Sequence, residues 1–163
     1  MLLIKLFQMN VGQEAPDFSL YNSEKTKVTL SELKGTPVLL LFFPLAFTSV
    51  CTAELCDVRD QISLYNEASV TVLGISVDSV YTLAKFKEDQ RLNFQLLSDF
   101  NKEVSKKYNS LYEKFGFDME GVSKRAAFLI DREGVIQYAE ILENAGAQPN
   151  FVALKEEMRK ITK

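Results

Sequence analysis

Apolar positions along the chain fall into two periods. Continuous apolar runs at 37–43 (PVLLLFF) and 70–77 (VTVLGISV) read as strands buried on both faces. Weakly alternating stretches at 17–21 and 27–30, parted by Asn22-Ser23, predict a small hairpin, and 94–97 a further short strand. From 48 to 66 the period becomes helical. Cys51, Leu55, Val58, Ile62 and Tyr65 share one stripe when residues are placed at about 100° each. Helices are also predicted over 80–90 with Leu83 and Phe86 inward, over 102–108, and over 151–161 with Leu154, Met158 and Ile161 inward. Residues 31–35 read as one helical turn closed by Gly35. Glu120-Gly121 predicts a loop before a strand at 125–131. Arg132-Glu133-Gly134 is a hairpin turn returning through 135–142, and 144–149 is loop.

Crossovers of helical length imply parallel strands, and the tight turn at 131–134 implies an antiparallel pair. The expected class is therefore α/β, a central mixed β-sheet flanked by helices, and this order of elements suits a thioredoxin-like fold. The 163 residues are read as a single domain spanning 1–163, with no internal repeat or linker. Residues 11–18 (VGQEAPDF) look like the start of that domain. Residues 1–8 are then an N-terminal extension, either a short added strand or part of a subunit contact, or Met9 is the true initiator.

Composition changes this picture mainly by what it lacks. A net charge of −3 disfavours a nucleic-acid or anionic-membrane surface. The opening MLLIKLFQMN is too short for a membrane span and a poor signal peptide, so a cytoplasmic protein with reduced thiols is expected. The chain has no histidine, which removes Ser-His and Cys-His nucleophile pairs and histidine metal sites. Its two cysteines, spaced C-x4-C, make a weak zinc motif. No metal or organic cofactor is expected.

The chemistry concentrates in 44–56, PLAFTSVCTAELC, which follows the strand at 37–43 and holds both cysteines. Thr48 is a natural N-cap, placing Cys51 in the first helical turn. Unpaired amides and the positive end of the helix dipole favour an anion there, a known route to a reactive thiolate. Ionising an ordinary thiol fully at pH 7 gains roughly thirtyfold, or about 2 kcal/mol. A fast thiolate reaction needs more, and fixed donors on the breaking bond of a substrate can each contribute ~3–4 kcal/mol. The Thr48 hydroxyl, the Cys51 amide and a guanidinium would supply them. The competing reading is a buried, inert cysteine on the apolar stripe; the preceding Pro44, the cap and the strand-end location weigh against it.

Pro44-x-x-x-Thr48-x-x-Cys51 is similar to the peroxiredoxin active-site signature. VGQEAPDFSL near the start and the single Arg125 in SKRAAFLID also resemble that family, over nearly the whole chain from Met9. FFPLAFT together with LLSDF resembles the AhpE branch. The resemblance implies that Cys51 is the peroxidatic nucleophile, oxidised to a sulfenic acid. It implies further that Pro44 shields the thiolate, Thr48 hydrogen-bonds the peroxide, and Arg125 stabilises thiolate and transition state. Glu54 matches an acidic position in the first helical turn that orients the arginine. Thr52 carries no assigned chemistry. The C-x4-C spacing resembles the PrxQ, or bacterioferritin-comigratory, branch, in which the second cysteine, here Cys56, resolves the sulfenic acid. Implied partners are hydrogen peroxide or an alkyl hydroperoxide, a thioredoxin-like or low-molecular-weight thiol reductant, and a second copy in a homodimer packed through loops near the site. Leu45 and Phe47 suit such a contact or the core.

Helix geometry sharpens the Cys56 reading. Five residues rise ~7.5 Å and turn about 140° net, whereas a disulfide needs Cα atoms within about 7 Å and converging Cβ vectors. Cys56 therefore lies off the Cys51 stripe, beside Thr52, Arg59, Asp60 and Ser63, and the helix must unwind for the two to bond. The alternative is that Cys56 is incidental and an external thiol resolves Cys51. Two other functions stay open: a peroxide-sensing relay that passes oxidation to a partner, and an inert thioredoxin-fold interaction module. A disulfide oxidoreductase would want C-x-x-C, and a glutathione-peroxidase-like site would resemble a set including Trp; the chain has neither.

Overall fold

β3 (Val38–Phe42) is the spine of the structure, and all five of its residues are buried. Its alternating side chains serve two layers at once, which explains an apolar run without interruption. Leu39 and Leu41 face a layer holding Leu55, Val58, Leu83, Phe86, Leu154 and Met158. Val38, Leu40 and Phe42 face the other layer, with Phe18, Val104, Tyr108 and Phe128.

The computed structural model describes residues 9–162, so the expectation for residues 1–8 lies outside the described residues. Before β3 come β1 (Ser19–Asn22) and β2 (Lys27–Thr29), then a turn of 3-10 helix at Leu30–Leu33. After it follow α1 (Ser49–Asp60), α2 (Ile62–Glu67), β4 (Thr71–Ser76), α3 (Val80–Gln90), β5 (Gln95–Ser98) and α4 (Glu103–Lys107). The chain closes with β6 (Leu111–Phe115), β7 (Met119–Ser123), β8 (Arg125–Ile130), β9 (Ile136–Leu142) and α5 (Phe151–Ile161). The main sheet has the order β2-β1-β5-β4-β3-β8-β9. β3, β4 and β5 are parallel, and β8 and β9 add antiparallel strands at one side, as β1 and β2 do at the other. This is the mixed α/β sheet expected, and α3 and α5 occupy the residues their periodicity marked. Among the described residues no helix is long and apolar enough to cross a membrane.

Two elements differ from expectation. The helix read over 48–66 is two helices, with Gln61 (φ −107°, ψ 16°) between them. Apolar spacing stays in phase across the break, so periodicity does not register it. The break leaves Tyr65 buried but Ile62 only half-buried. The loop expected at Glu120-Gly121 is strand β7, paired antiparallel with β6 in a separate hairpin, with Tyr112 opposite Val122 and Phe115 opposite Met119. Its strands are mostly half-buried and carry little apolar alternation. Gly121 sits at φ +70° under the Lys102 side chain, which a Cβ would strike at 2.6 Å.

Gly74 makes the β4 contact to its neighbours. A Cβ there would meet Leu96 Cδ2 at 2.7 Å and Phe43 Cε1 at 3.4 Å, and both of those side chains are fully buried. Gly74→Ala is expected to destabilise the protein by about 1–3 kcal/mol through overpacking, measured as a lower denaturation midpoint at unchanged denaturant slope.

Candidate functional site

The C-terminal end of β3 delivers the chain into the 44–48 loop, and α1 starts immediately beyond it. Thr48 occupies the N-cap position with extended backbone (φ −92°, ψ 152°). The α1 ladder begins with the Thr52 amide donating to the Thr48 carbonyl at 2.9 Å, so the Cys51 amide precedes it. Cys51 is buried at 1% exposure on the α1 face turned to the sheet.

Arg125 opens β8, which pairs with β3 so that Ala126 opposes Phe42. Alternation along β8 sends Arg125 to the same side as Ala127 and Leu129, the layer that contains Cys51. Arg125 is 1% exposed, and each of its three guanidinium nitrogens has an acceptor. Nη2 donates to Cys51 Sγ at 3.1 Å and to the Ala145 carbonyl at 3.0 Å, and Nε donates to the same carbonyl at 3.3 Å. Nη1 donates to Glu54 Oε2. Burial works against the Arg125 charge, but Glu54 and Cys51 facing it outweigh that and its pKa rises. Glu54 lies one turn after Cys51, in the second turn of α1 rather than the first, and is completely buried. Its Oε1 has no hydrogen-bond partner among the described residues. Burial pushes its carboxyl up to about 7 against the pull of Arg125, with Glu140 adding a smaller push in the same direction.

Pro44, Thr48, Ser49, Val50, Cys51, Phe115, Arg125, Ala145 and Gly146 line a pocket of about 220 Å³. The structure thus assembles four of the residues marked in the sequence, Pro44, Thr48, Cys51 and Arg125, with Glu54 behind the arginine. One role is corrected. The Thr48 side chain makes no cap bond; its hydroxyl donates to the Leu45 carbonyl at 2.8 Å. With that hydrogen committed, Thr48 Oγ1 offers lone pairs, and it can accept from a peroxide O–H rather than donate to the O–O bond. Cys56 is not brought to the site. It is half-buried on another face of α1, its thiol donating to Gln90 Oε1 of α3 at 3.5 Å, and both cysteines are free. Of the loop residues, Leu45 is half-buried, while Phe47 is 51% exposed and packs edge-on against Phe86.

The sequence reading missed two contributors. Ala145 acts through its carbonyl, held in a loop whose Asn144 side chain accepts from the Gly146 amide at 2.9 Å and whose Glu143 carbonyl accepts from Tyr112 at 2.6 Å. A backbone acceptor leaves no residue-type signal. Phe115 enters from the β6–β7 hairpin, which was itself unseen. A second cavity of about 170 Å³, bounded by Ala15, Leu30, Leu33, Val38 and Ile130, lies at the other end of β3 and holds no thiol. Among the described residues no cluster of three or more carboxylate, thiol or imidazole side chains could hold a metal ion.

The Glu54 carboxyl has a pH consequence of definite sign. Its folded-state pKa of about 7 lies above the ordinary 4.5, so the native state binds the extra proton between those values. Its contribution to stability is full below about 4.5 and is lost as pH rises through 7. Relative to Glu54→Gln, the wild type is expected to lose on the order of 2–3 kcal/mol across that window, read from denaturation curves at stepped pH. Parallel pH profiles for the two proteins would contradict this.

Comparison with known proteins places this geometry. The AhpC/TSA family matches residues 11–139. Peroxiredoxin Bcp of Escherichia coli (strain K12) is 38% identical over 132 residues, covering 80% of this chain and 84% of that protein. Among solved structures, peroxidoxin BcpB of Mycobacterium tuberculosis superposes with a TM-score of 0.83 at 30% identity, over 94% of this chain and 99% of that one. The bacterioferritin comigratory protein of Xanthomonas campestris gives a TM-score of 0.81 at 25% identity, over 94% and 100%. A buried cysteine at a helix start, answered by an arginine from a distant strand, thus sits in a thioredoxin-like fold whose relatives are named for peroxide chemistry, and the chain belongs to the AhpC/TSA family as a peroxiredoxin, a thiol-dependent peroxidase.

Proposed function

We propose that the chain reduces hydrogen peroxide and small organic hydroperoxides in a two-thiol cycle, with Cys51 as the attacking thiolate and Cys56 as the resolving thiol. The observation that carries this reading is the Arg125 guanidinium donating to the Cys51 sulfur at 3.1 Å on the wall of a pocket. Organic hydroperoxides are supported by the alkyl peroxide reduction activity for which the Xanthomonas campestris protein is described.

The Cys51 sulfur attacks one peroxide oxygen as the O–O bond breaks, giving up two electrons and becoming a sulfenic acid. The leaving oxygen takes a proton and departs as water or alcohol. Arg125 answers the negative charge first on sulfur and then on the oxygens, the term that dominates such reactions. Thr48 Oγ1 accepts from the peroxide hydroxyl and the Cys51 amide donates to it, so the substrate is oriented from both sides. Pro44 covers the thiolate. The sulfenic acid then condenses with the Cys56 thiol, forming the S–S bond and releasing water. A thioredoxin-like dithiol, or a low-molecular-weight thiol, reduces that disulfide by exchange.

The condensation requires α1 to unwind between Cys51 and Cys56, because a wound helix separates them by ~7.5 Å along its axis. A homodimer formed near the site is supported by the exposed rings of Phe47 and Phe117. A cytoplasmic location is the compartment in which such thiols stay reduced.

Stopped-flow mixing with peroxide, followed by mass spectrometry, tests the cycle. Cys51→Ser is expected to consume no peroxide. Cys56→Ser is expected to stop at sulfenic acid without added thiol, whereas the wild type gains one disulfide. In the oxidised wild type, amide exchange over residues 51–56 is expected to lose its helical protection. Peroxide turnover by Cys51→Ser would overturn the assignment of the nucleophile, and a disulfide with α1 still protected would overturn the unwinding step.

A further inference from the structure

The 44–48 loop carries two of the pocket's residues, yet it is irregular backbone with Phe47 at φ +66°. Something outside the loop must fix it. The Ala46 amide donates to Asp78 Oδ2 at 2.8 Å. That same oxygen accepts from Ser76 Oγ at 2.7 Å, and Ser76, at the end of β4, is completely buried. The Asp78 amide donates back to Ser76 Oγ at 3.2 Å, and its carbonyl accepts from Ser98 Oγ at 2.6 Å. The carboxyl group is thus tied to the end of β4, and the Asp78 backbone to the end of the neighbouring parallel strand β5.

The Ala46 N–H and the Leu45 C=O belong to one peptide group. That group is planar and its two polar ends point in opposite directions. Asp78 takes the N–H end, and the Thr48 hydroxyl donates to the C=O end at 2.8 Å. Fixing one end therefore aims the other. A peptide whose N–H is bonded to a carboxylate oxygen also has a more strongly accepting carbonyl, since linked hydrogen bonds polarise one another.

We infer that Asp78 is a positioning residue for the peroxidase reaction: through the Leu45–Ala46 peptide it holds the Thr48 hydroxyl hydrogen on the loop side, so that the oxygen lone pairs face the peroxide. Asp78 is not among the pocket-lining residues and acts only through Thr48. Without it the peptide can turn, Thr48 loses its fixed acceptor, and its hydroxyl no longer presents one polarity to the substrate. This inference rests on the peroxidase reading above.

A double-mutant cycle between Asp78 and Thr48 tests it, with the second-order rate of Cys51 oxidation by peroxide as the readout. Asp78→Ala alone is expected to slow that step about tenfold, the equivalent of one good hydrogen bond. Asp78→Asn, whose amide oxygen can accept from the same Ala46 N–H and Ser76 hydroxyl, is expected to recover most of the rate. In a Thr48→Val background, Asp78→Ala is expected to add less than about a twofold further loss, because the two residues act in series. Alkylation of Cys51 by iodoacetamide, which has no peroxide hydroxyl to orient, is expected to proceed at the parent rate in Asp78→Ala. That last measurement separates positioning from general disorder of the loop.

Equal losses in the two backgrounds would overturn the inference, as would alkylation slowed in step with peroxide oxidation. A wild-type protein that reacts no faster with peroxide than a free thiol would overturn the peroxidase reading itself, and this inference with it.

Discussion

A guanidinium taken out of water must find acceptors for its donors and a counter-charge, or the fold cannot close over it. Arg125 is the largest fully buried side chain among the described residues. Its acceptors come from three separate places: Glu54 on α1, the Ala145 carbonyl in the loop after β9, and the sulfur of Cys51. The start of β8, the first two turns of α1 and the 143–147 loop are therefore joined at one point. On the proposed reading the sulfur that meets the oxidant belongs to that solution, because it also satisfies a buried donor. Structure and chemistry share an atom here.

The remaining parts of the pocket follow from where α1 begins. A helix that starts at Ser49 leaves the Cys51 amide outside its ladder, and the turn that precedes it brings Thr48 and Pro44 beside the sulfur. The loop gains its shape from Asp78 and Ser76, at the end of the neighbouring parallel strand β4. Strand ends, helix start and loop converge at the carboxyl edge of the parallel part of the sheet, where open α/β sheets place their sites.

How much of this could be read from residue order depends on the kind of interaction. β3 was legible because both of its faces are apolar, and α3 and α5 because their inward residues recur at helical spacing. That Cys51 and Arg125 belong together was legible, although 74 residues separate them, because both match the signature of a family the chain resembles. The β6–β7 hairpin was not, since backbone pairing holds it and its buried side chains do not alternate at a strand period. The Ala145 and Leu45 carbonyls were invisible for a simpler reason: every residue has one. The polarity of the Thr48 hydroxyl was misjudged because it is set by the Leu45 carbonyl, three residues back, and not by the residue type. The break at Gln61 changes direction without changing the phase of the apolar stripe, so a pattern of types alone runs straight through it.

In the proposed cycle, the placement of Cys56 on another face of α1 makes time a functional variable. On the proposed route the sulfenic acid waits for the helix to open, and during that wait a second peroxide can carry the sulfur to the sulfinic state, from which most thiols do not return. Contacts beyond Cys51 hold the helix closed, among them Cys56 to Gln90, Arg59 to the Gln90 carbonyl, and Asn93 to the Arg59 carbonyl. Each favours the reduced fold and lengthens the exposure. Selection for a sturdier α1 would thus yield a protein that folds better and survives its own substrate less well. How readily this short stretch of helix opens sets, on the proposed route, how long the sulfur stays exposed to a second oxidation.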